Sequence, residues 1–268
     1  MIKKIFLDTF YSSESESLKA LQGNSKKINV KVILVCIGVA FSLSIIKYFS
    51  DYRFVVSLLN DFHFNSSAIQ FQVLMTMGRN SELYQLVYWV SIIIFFYLIP
   101  PILIVVFVFK ENLNDYGLTF KGAFKDYKLY VIMLIVMIPL VLFFSGTQSF
   151  QARYPFYDIQ KEESFFPNFI IWEVLYFFQF FALEFFFRGF MVHGTKQRFG
   201  FFSVFVMTIP YCMIHFGKPM PETIAAIIAG IVLGVLSLKS KSIWMGVAIH
   251  CSVAVTMDVC ALWQKGIL

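Results

Sequence analysis

The sequence predicts an all-α fold, a polytopic transmembrane helical bundle of about seven spans, and three observations carry that prediction. Hydrophobic residues make up 59% of the 268 residues and charged residues only 14%, where ordinary soluble domains carry roughly 25% charged residues. Mean hydropathy is +0.73. The apolar residues gather into runs of about 20, the length that ~30 Å of hydrocarbon demands at 1.5 Å of rise per residue. Thirty-four Phe against 14 Gly and 8 Pro exclude a collagenous, disordered or low-complexity chain. The net charge of +6 then reads as a topology signal and as contact with a lipid bilayer. Nucleic acid is not an expected partner, because no basic stretch is interleaved with aromatics on a soluble module.

In chain order, residues 1–30 form a polar leader, expected on the cytoplasmic side. Their apolar patch is too short for the core of a cleavable signal. Residues 31–109 form an N-terminal transmembrane part. Its first span, Val32–Tyr48, is short and bracketed by Lys31 and Lys47, both able to snorkel. Residues 49–82 mix Asp51, Arg53, Asp61, Arg79 and Glu82 with apolar residues, which reads as an interfacial amphipathic segment; an eighth, irregular span is the alternative. Leu83–Phe109 follows, uncharged, with Pro100-Pro101 expected to kink it. Residues 110–268 form the core, with spans at Leu129–Phe150, Phe169–Val192, Phe199–Phe216, Thr223–Leu238 and Ser242–Ala261. In the sixth, Ala226, Gly230 and Gly234 stand four apart, a spacing that lets a neighbouring helix approach closely.

Charge placement tests this layout. With the N-terminus inside, the inner segments hold 14 Lys and Arg and the outer ones seven, Lys161 among them, while Arg188 lies within a span. That two-to-one bias supports an N-in, C-out chain. Cys36, Cys212, Cys251 and Cys260 all fall in apolar stretches without CxxC or zinc-like spacing, and read as small apolar packers.

Ionisable side chains inside spans cost ~2.5–3.5 kcal/mol each on insertion scales, so each needs a reason. Glu184 and Arg188 stand four apart and can pair on one helix face; spacing alone also fits a purely structural ion pair. His215 closes an apolar span just before a Gly/Pro turn, where a histidine is more often a packed or interfacial residue. His250 lies near the middle of the last span and is harder to read as structural. Counted from the inner turns, Glu184 and His215 lie ~21 Å deep and His250 ~15 Å, so three helices carry their polar residues at similar depth.

These residues resemble the motifs of the CPBP family of intramembrane proteases, which includes the type II CAAX prenyl endopeptidases and bacteriocin-processing relatives. The family pattern is EExxxR, then FxxxH, then HxxxN or HxxxD. Glu184-xxx-Arg188-Gly189-Phe190 matches the second Glu and the Arg, Tyr211-xxx-His215 matches the second motif with Tyr for Phe, and Ser242-Ile-Trp-xxxxx-His250 matches the third. The resemblance covers roughly residues 110–260. Leu183 stands where the family has its first Glu, the base that activates water, and Ala254 stands where it has Asn or Asp. Asp258 and Glu173 lie ~12 and ~16 Å along their helices from His250 and Glu184, too far to replace the missing groups directly.

The resemblance implies an intramembrane endopeptidase in a bacterial cytoplasmic membrane, cutting membrane-associated or lipidated peptide substrates. Glu184, His215 and His250 would activate water, with Arg188 and Tyr211 in support. A zinc ion held by Glu184, His215 and His250 is an alternative chemistry, since two His and one Glu with an open position suit catalytic zinc. A catalytically inactive relative acting as a membrane scaffold or regulator is the competing function, favoured by Leu183 and Ala254. A transporter with a His/Glu relay fits less well, because the sequence has no internal repeat.

Overall fold

A computed structural model describes residues 2–21, 29–159 and 164–268. Part of the expected leader and the outer Lys161 therefore lie outside the described residues. Among those residues there is no strand, only an isolated antiparallel bridge between Leu118 and Ser242. The chain is an integral, multi-pass, all-helical membrane protein.

Helix α1 (Ile2–Leu21) is followed by α2 (Val30–Phe49), whose N-cap Asn29 accepts a hydrogen bond from the Val32 amide. Two short helices, α3 (Tyr52–Asp61) and α4 (Asn65–Thr76), occupy the segment expected at the interface. At ~15 and ~18 Å neither is long enough to cross a bilayer. Helix α5 (Ser81–Leu103) contains Pro100 and Pro101 and passes into a π-helical run, Ile104–Phe109. The two prolines remove consecutive amide donors, and the hydrogen-bond register widens just beyond them. After the 110–128 loop come α6 (Tyr127–Ser145), the single turn α7 (Gln148–Gln151) and α8 (Asn168–Glu184). The core span was expected to end in ordinary helix; instead α8 continues as a π-helical run, Phe185–His193. The remaining helices are α9 (Gly194–Phe199), α10 (Ser203–Met213), α11 (Met220–Ser240) and α12 (Trp244–Gln264).

Six stretches among the described residues are long and apolar enough to cross a membrane. One of them, Asn168–Met213, contains two of the seven expected spans, because the chain reverses between α9 and α10 and α10 packs back on the π-helical run. Gly200 makes that reversal with φ +52, and a side chain there would collide with the Glu14 carboxylate. Helix α10 is shorter than the expected Phe199–Phe216 span: its 11 residues rise only ~16 Å. His215 thus lies in the turn after α10, short of a full crossing.

All nine residues from Phe185 to His193 are buried, the mark of a segment enclosed on every side. Phe95, Phe107, Ile135 and Phe143, by contrast, point outward, as apolar groups facing lipid should. Leader helix α1, the 110–128 loop and the 194–202 and 239–243 turns meet at one end of the bundle. Glu14 accepts the Phe201 amide, Ser17 donates to the Gln197 carbonyl, Lys239 pairs with Asp126, and Trp244 donates to the Leu118 carbonyl. The opposite end joins Glu82 to the Asp158 amide and Lys265 to Asp158. The segments that charge counting grouped on one side do share one end.

Candidate active site

The buried π-helical run begins directly after Glu184, and π-helical register is frequent at functional sites. Glu184 and Arg188 have side-chain exposures of 1% and 0%, and Arg188 Nη1 lies 3.1 Å from Glu184 Oε1. The guanidinium also lies flat against an aromatic partner, its central carbon 3.9 Å from the Tyr211 ring centroid, a cation–π contact strengthened by the absence of water.

Helix α12 brings His250 to the same carboxylate. His250 Nδ1 is 3.0 Å from Glu184 Oε1, and its Nε2 is 3.1 Å from the Tyr211 hydroxyl. Its ring stacks on Phe180 at 5.4 Å and 6°. The approach depends on Gly246, one turn earlier on α12: a Cβ there would lie 2.8 Å from the carboxylate carbon of Glu184. A carboxylate can only accept, so Nδ1 carries the proton, Nε2 is the acceptor and the Tyr211 hydroxyl donates to it. These are ion-pair distances; Glu184 Oε1, His250 Nδ1 and the three Arg188 nitrogens are not aligned for hydrogen bonds with described residues. Such looseness is common in substrate-free sites.

His215 enters through Tyr211 rather than through Glu184. Its Nδ1 is 2.8 Å from the Tyr211 carbonyl, and its ring meets the Tyr211 ring edge to face at 4.8 Å. Thr223 donates to the His215 carbonyl at 2.9 Å and ties down the turn. Because the carbonyl takes the Nδ1 proton, Nε2 is left as a lone-pair acceptor. It has no hydrogen bond to a described residue, and the ring is half-buried. Glu184, His250 and His215 therefore form a chain with Tyr211 as its hub. Glu184 and Arg188 are sealed, so water reaches this chain only at the histidine edges.

Zinc does not fit this arrangement. Among the described residues no group of three His, Cys, Asp or Glu side chains is placed to hold a metal, and both ring nitrogens of His250 already face protein groups. Leu183 is 6% exposed within the main apolar core and Ala254 is 3% exposed in a second cluster with Trp172 and Tyr176. No polar side chain has moved into either place.

Sequence reasoning missed three features. Tyr211, expected only in support, is the hub of the site, a role signalled by Tyr standing for Phe in the second motif. Gly246 makes room for the carboxylate, which no spacing rule shows. Glu173 and Asp258, each too far from the site to replace its missing groups, face one another instead.

The fold and this cluster define a multi-pass membrane protein with a buried Glu–Arg–His site. Residues 165–256 match the family model described as Type II CAAX prenyl endopeptidase Rce1-like. The CPBP resemblance carried by the motifs is thus supported over a segment that holds Glu184, Arg188, Tyr211, His215 and His250. At the family level it supports an intramembrane endopeptidase. No curated protein and no solved structure matches the chain.

Proposed function

We propose that the chain is an intramembrane endopeptidase that hydrolyses peptide bonds of membrane-associated or lipidated substrates with a water activated by Glu184, His215 and His250. The observation that carries this reading is the chain Glu184–His250–Tyr211, which ends beside the outward lone pair of His215. His215 Nε2 accepts the proton of the attacking water and returns it to the leaving amine. Glu184, sealed from solvent, acts through His250 by fixing its tautomer. The Tyr211 hydroxyl, whose one proton is directed at His250 Nε2 in the substrate-free site, turns that proton to the carbonyl oxygen as it becomes an oxyanion and so stabilises the charge. Tyr211 thereby takes over the polar task left empty by Ala254.

The two-to-one excess of Lys and Arg on the segments at the shared end of α1, the 110–128 loop and the 194–202 and 239–243 turns supports an N-in chain, and the family resemblance supports a bacterial cytoplasmic membrane. The burial of Leu183 and Ala254 in apolar clusters favours a second reading, an inactive relative that binds partner helices.

Cleavage of a membrane-tethered peptide library by the purified protein separates the two. Glu184→Gln and His215→Ala should each lower the rate about 10²–10⁴-fold, the usual worth of acid–base catalysis. Tyr211→Phe should cost about tenfold, the loss of one hydrogen bond to a charged group, and adding Ala254→Asn to it should recover part of that. Equal product from wild type and Glu184→Gln would end the glutamate–histidine mechanism. No product from any form, with partner binding kept, would favour the scaffold.

A further inference from the structure

The end of the bundle that carries α1 encloses a cavity of about 810 Å³, separate from the Glu184 site and on the scale of small-molecule sites. Its floor is unusual for its charge. His193 is 2% exposed, with Nε2 3.1 Å from the Ser237 hydroxyl and Nδ1 3.3 Å from the Lys196 ammonium. An ammonium can only donate, so Nδ1 is the acceptor and the imidazole is neutral. It orients Lys196 without neutralising it.

Lys196 is half-buried and forms no ion pair with a carboxylate among the described residues. The charges acting on it are those of Glu16, Lys241, Lys31, Asp115 and Glu111. Those carboxylates are committed or outlying. Lys241 holds Glu16 at 3.5 Å, with side-chain exposures of 61% and 55%, a pair worth little in water. Asp115 is exposed at the rim. Lys31 is engaged by Glu111 at 2.6 Å. Lys196 therefore faces the cavity with two N–H donors that no described residue takes up, and its neighbouring carboxylates stop short of an ion pair with it.

We propose that this cavity binds a phosphate group, borne by a small molecule or by a lipid headgroup, with Lys196 as its principal contact and Lys241 as its second. Lysine ammoniums serve phosphates as point charges, and the cavity lies at the helix ends, lined by Lys31, Lys196, Lys239 and Lys241. The proposal is independent of the proteolytic reading.

The test uses the full chain purified in neutral detergent. Inorganic phosphate is titrated by calorimetry at constant ionic strength. In parallel, the protein is placed in phosphatidylcholine nanodiscs with and without phosphatidic acid, and its thermal stability is read. Saturable phosphate binding, weakened about tenfold in Lys196→Gln and less in Lys241→Gln, supports a soluble phosphate ligand. Stabilisation by phosphatidic acid alone, lost in Lys196→Gln, supports a headgroup. Absence of both effects, or wild-type behaviour of Lys196→Gln, overturns the proposal. Should Lys196→Gln fail to fold, the exposed Lys241→Gln carries the test, and unchanged phosphate and lipid responses there overturn it.

Discussion

Helices α8 and α12 carry two buried polar clusters, built in opposite ways. Where Glu184 meets His250, a carboxylate has a guanidinium at 3.1 Å and an imidazole at 3.0 Å. About 16 Å further along α8, Glu173 faces Asp258, acid against acid. Asp258 is 3% exposed, and apart from each other the two acids have no hydrogen-bond partner for either Asp258 oxygen or for Oε1 of Glu173 among the described residues. Between the clusters runs a ladder of rings: Trp172 on Tyr176 at 5.2 Å, Tyr176 on Phe180 at 4.6 Å, and Phe180 on His250. The first cluster is compensated, so breaking it should be costly. The second has no cation and is held only by a proton shared between its two acids, so replacing either acid by its amide should cost little. Burial alone does not say which groups the fold depends on; the partner does.

Arg188→Ala gives the sharpest break. It strips the cation from a carboxylate with 1% exposure and should cost ~3–5 kcal/mol, the usual penalty for an orphaned buried charge. Thermal and denaturant unfolding in detergent would read this. The double change Glu184→Leu with Arg188→Met should recover most of the loss, since a buried pair replaced by apolar volume is often neutral. Wild-type stability of Arg188→Ala would mean that the pair is not compensated as described.

Gly246→Ala probes the same cluster through space rather than charge. The added methyl would sit 2.8 Å from the carboxylate carbon of Glu184, tighter than packing allows. Overpacking of this kind costs ~1–3 kcal/mol. Since the carboxylate must then move from His250, cleavage should fall together with stability. A variant as stable and as active as wild type would show that the carboxylate has room elsewhere.

Much of this was legible from spacing and composition. The six crossing stretches coincide with apolar runs that carry few charges, because a bilayer enforces length and hydropathy more strictly than water does. Glu184 and Arg188 were paired from their separation, and the three-motif pattern gathered Glu184, His215 and His250. What stayed hidden depended on packing across helices. The π-helical run Phe185–His193 changes the register after Glu184, and no periodicity assuming 3.6 residues per turn contains it. The place of His215 follows from α10 stopping early. The meeting of Glu173 with Asp258 follows from how two antiparallel helices are aligned, which neither helix encodes alone.

The smallest effect tests the other half of the comparison. Asp258→Asn keeps the shape of the side chain and replaces an acceptor with an amide that can donate to Glu173. A contact that depends on a retained proton then becomes an amide–carboxylate contact that does not, and a net hydrogen bond is worth ~0.5–1.5 kcal/mol. The variant should therefore be as stable as wild type or up to ~1 kcal/mol more so, with cleavage unaffected, because the cluster lies outside the Glu184 chain. Glu173→Gln should behave alike, and the double variant should gain less than the sum, since neighbours in contact are not additive. Unfolding midpoints of the three variants, measured side by side with Arg188→Ala, decide the matter. A loss of more than ~1 kcal/mol in Asp258→Asn would mean that the two acids hold a cation between them, and the contrast between the two clusters would disappear.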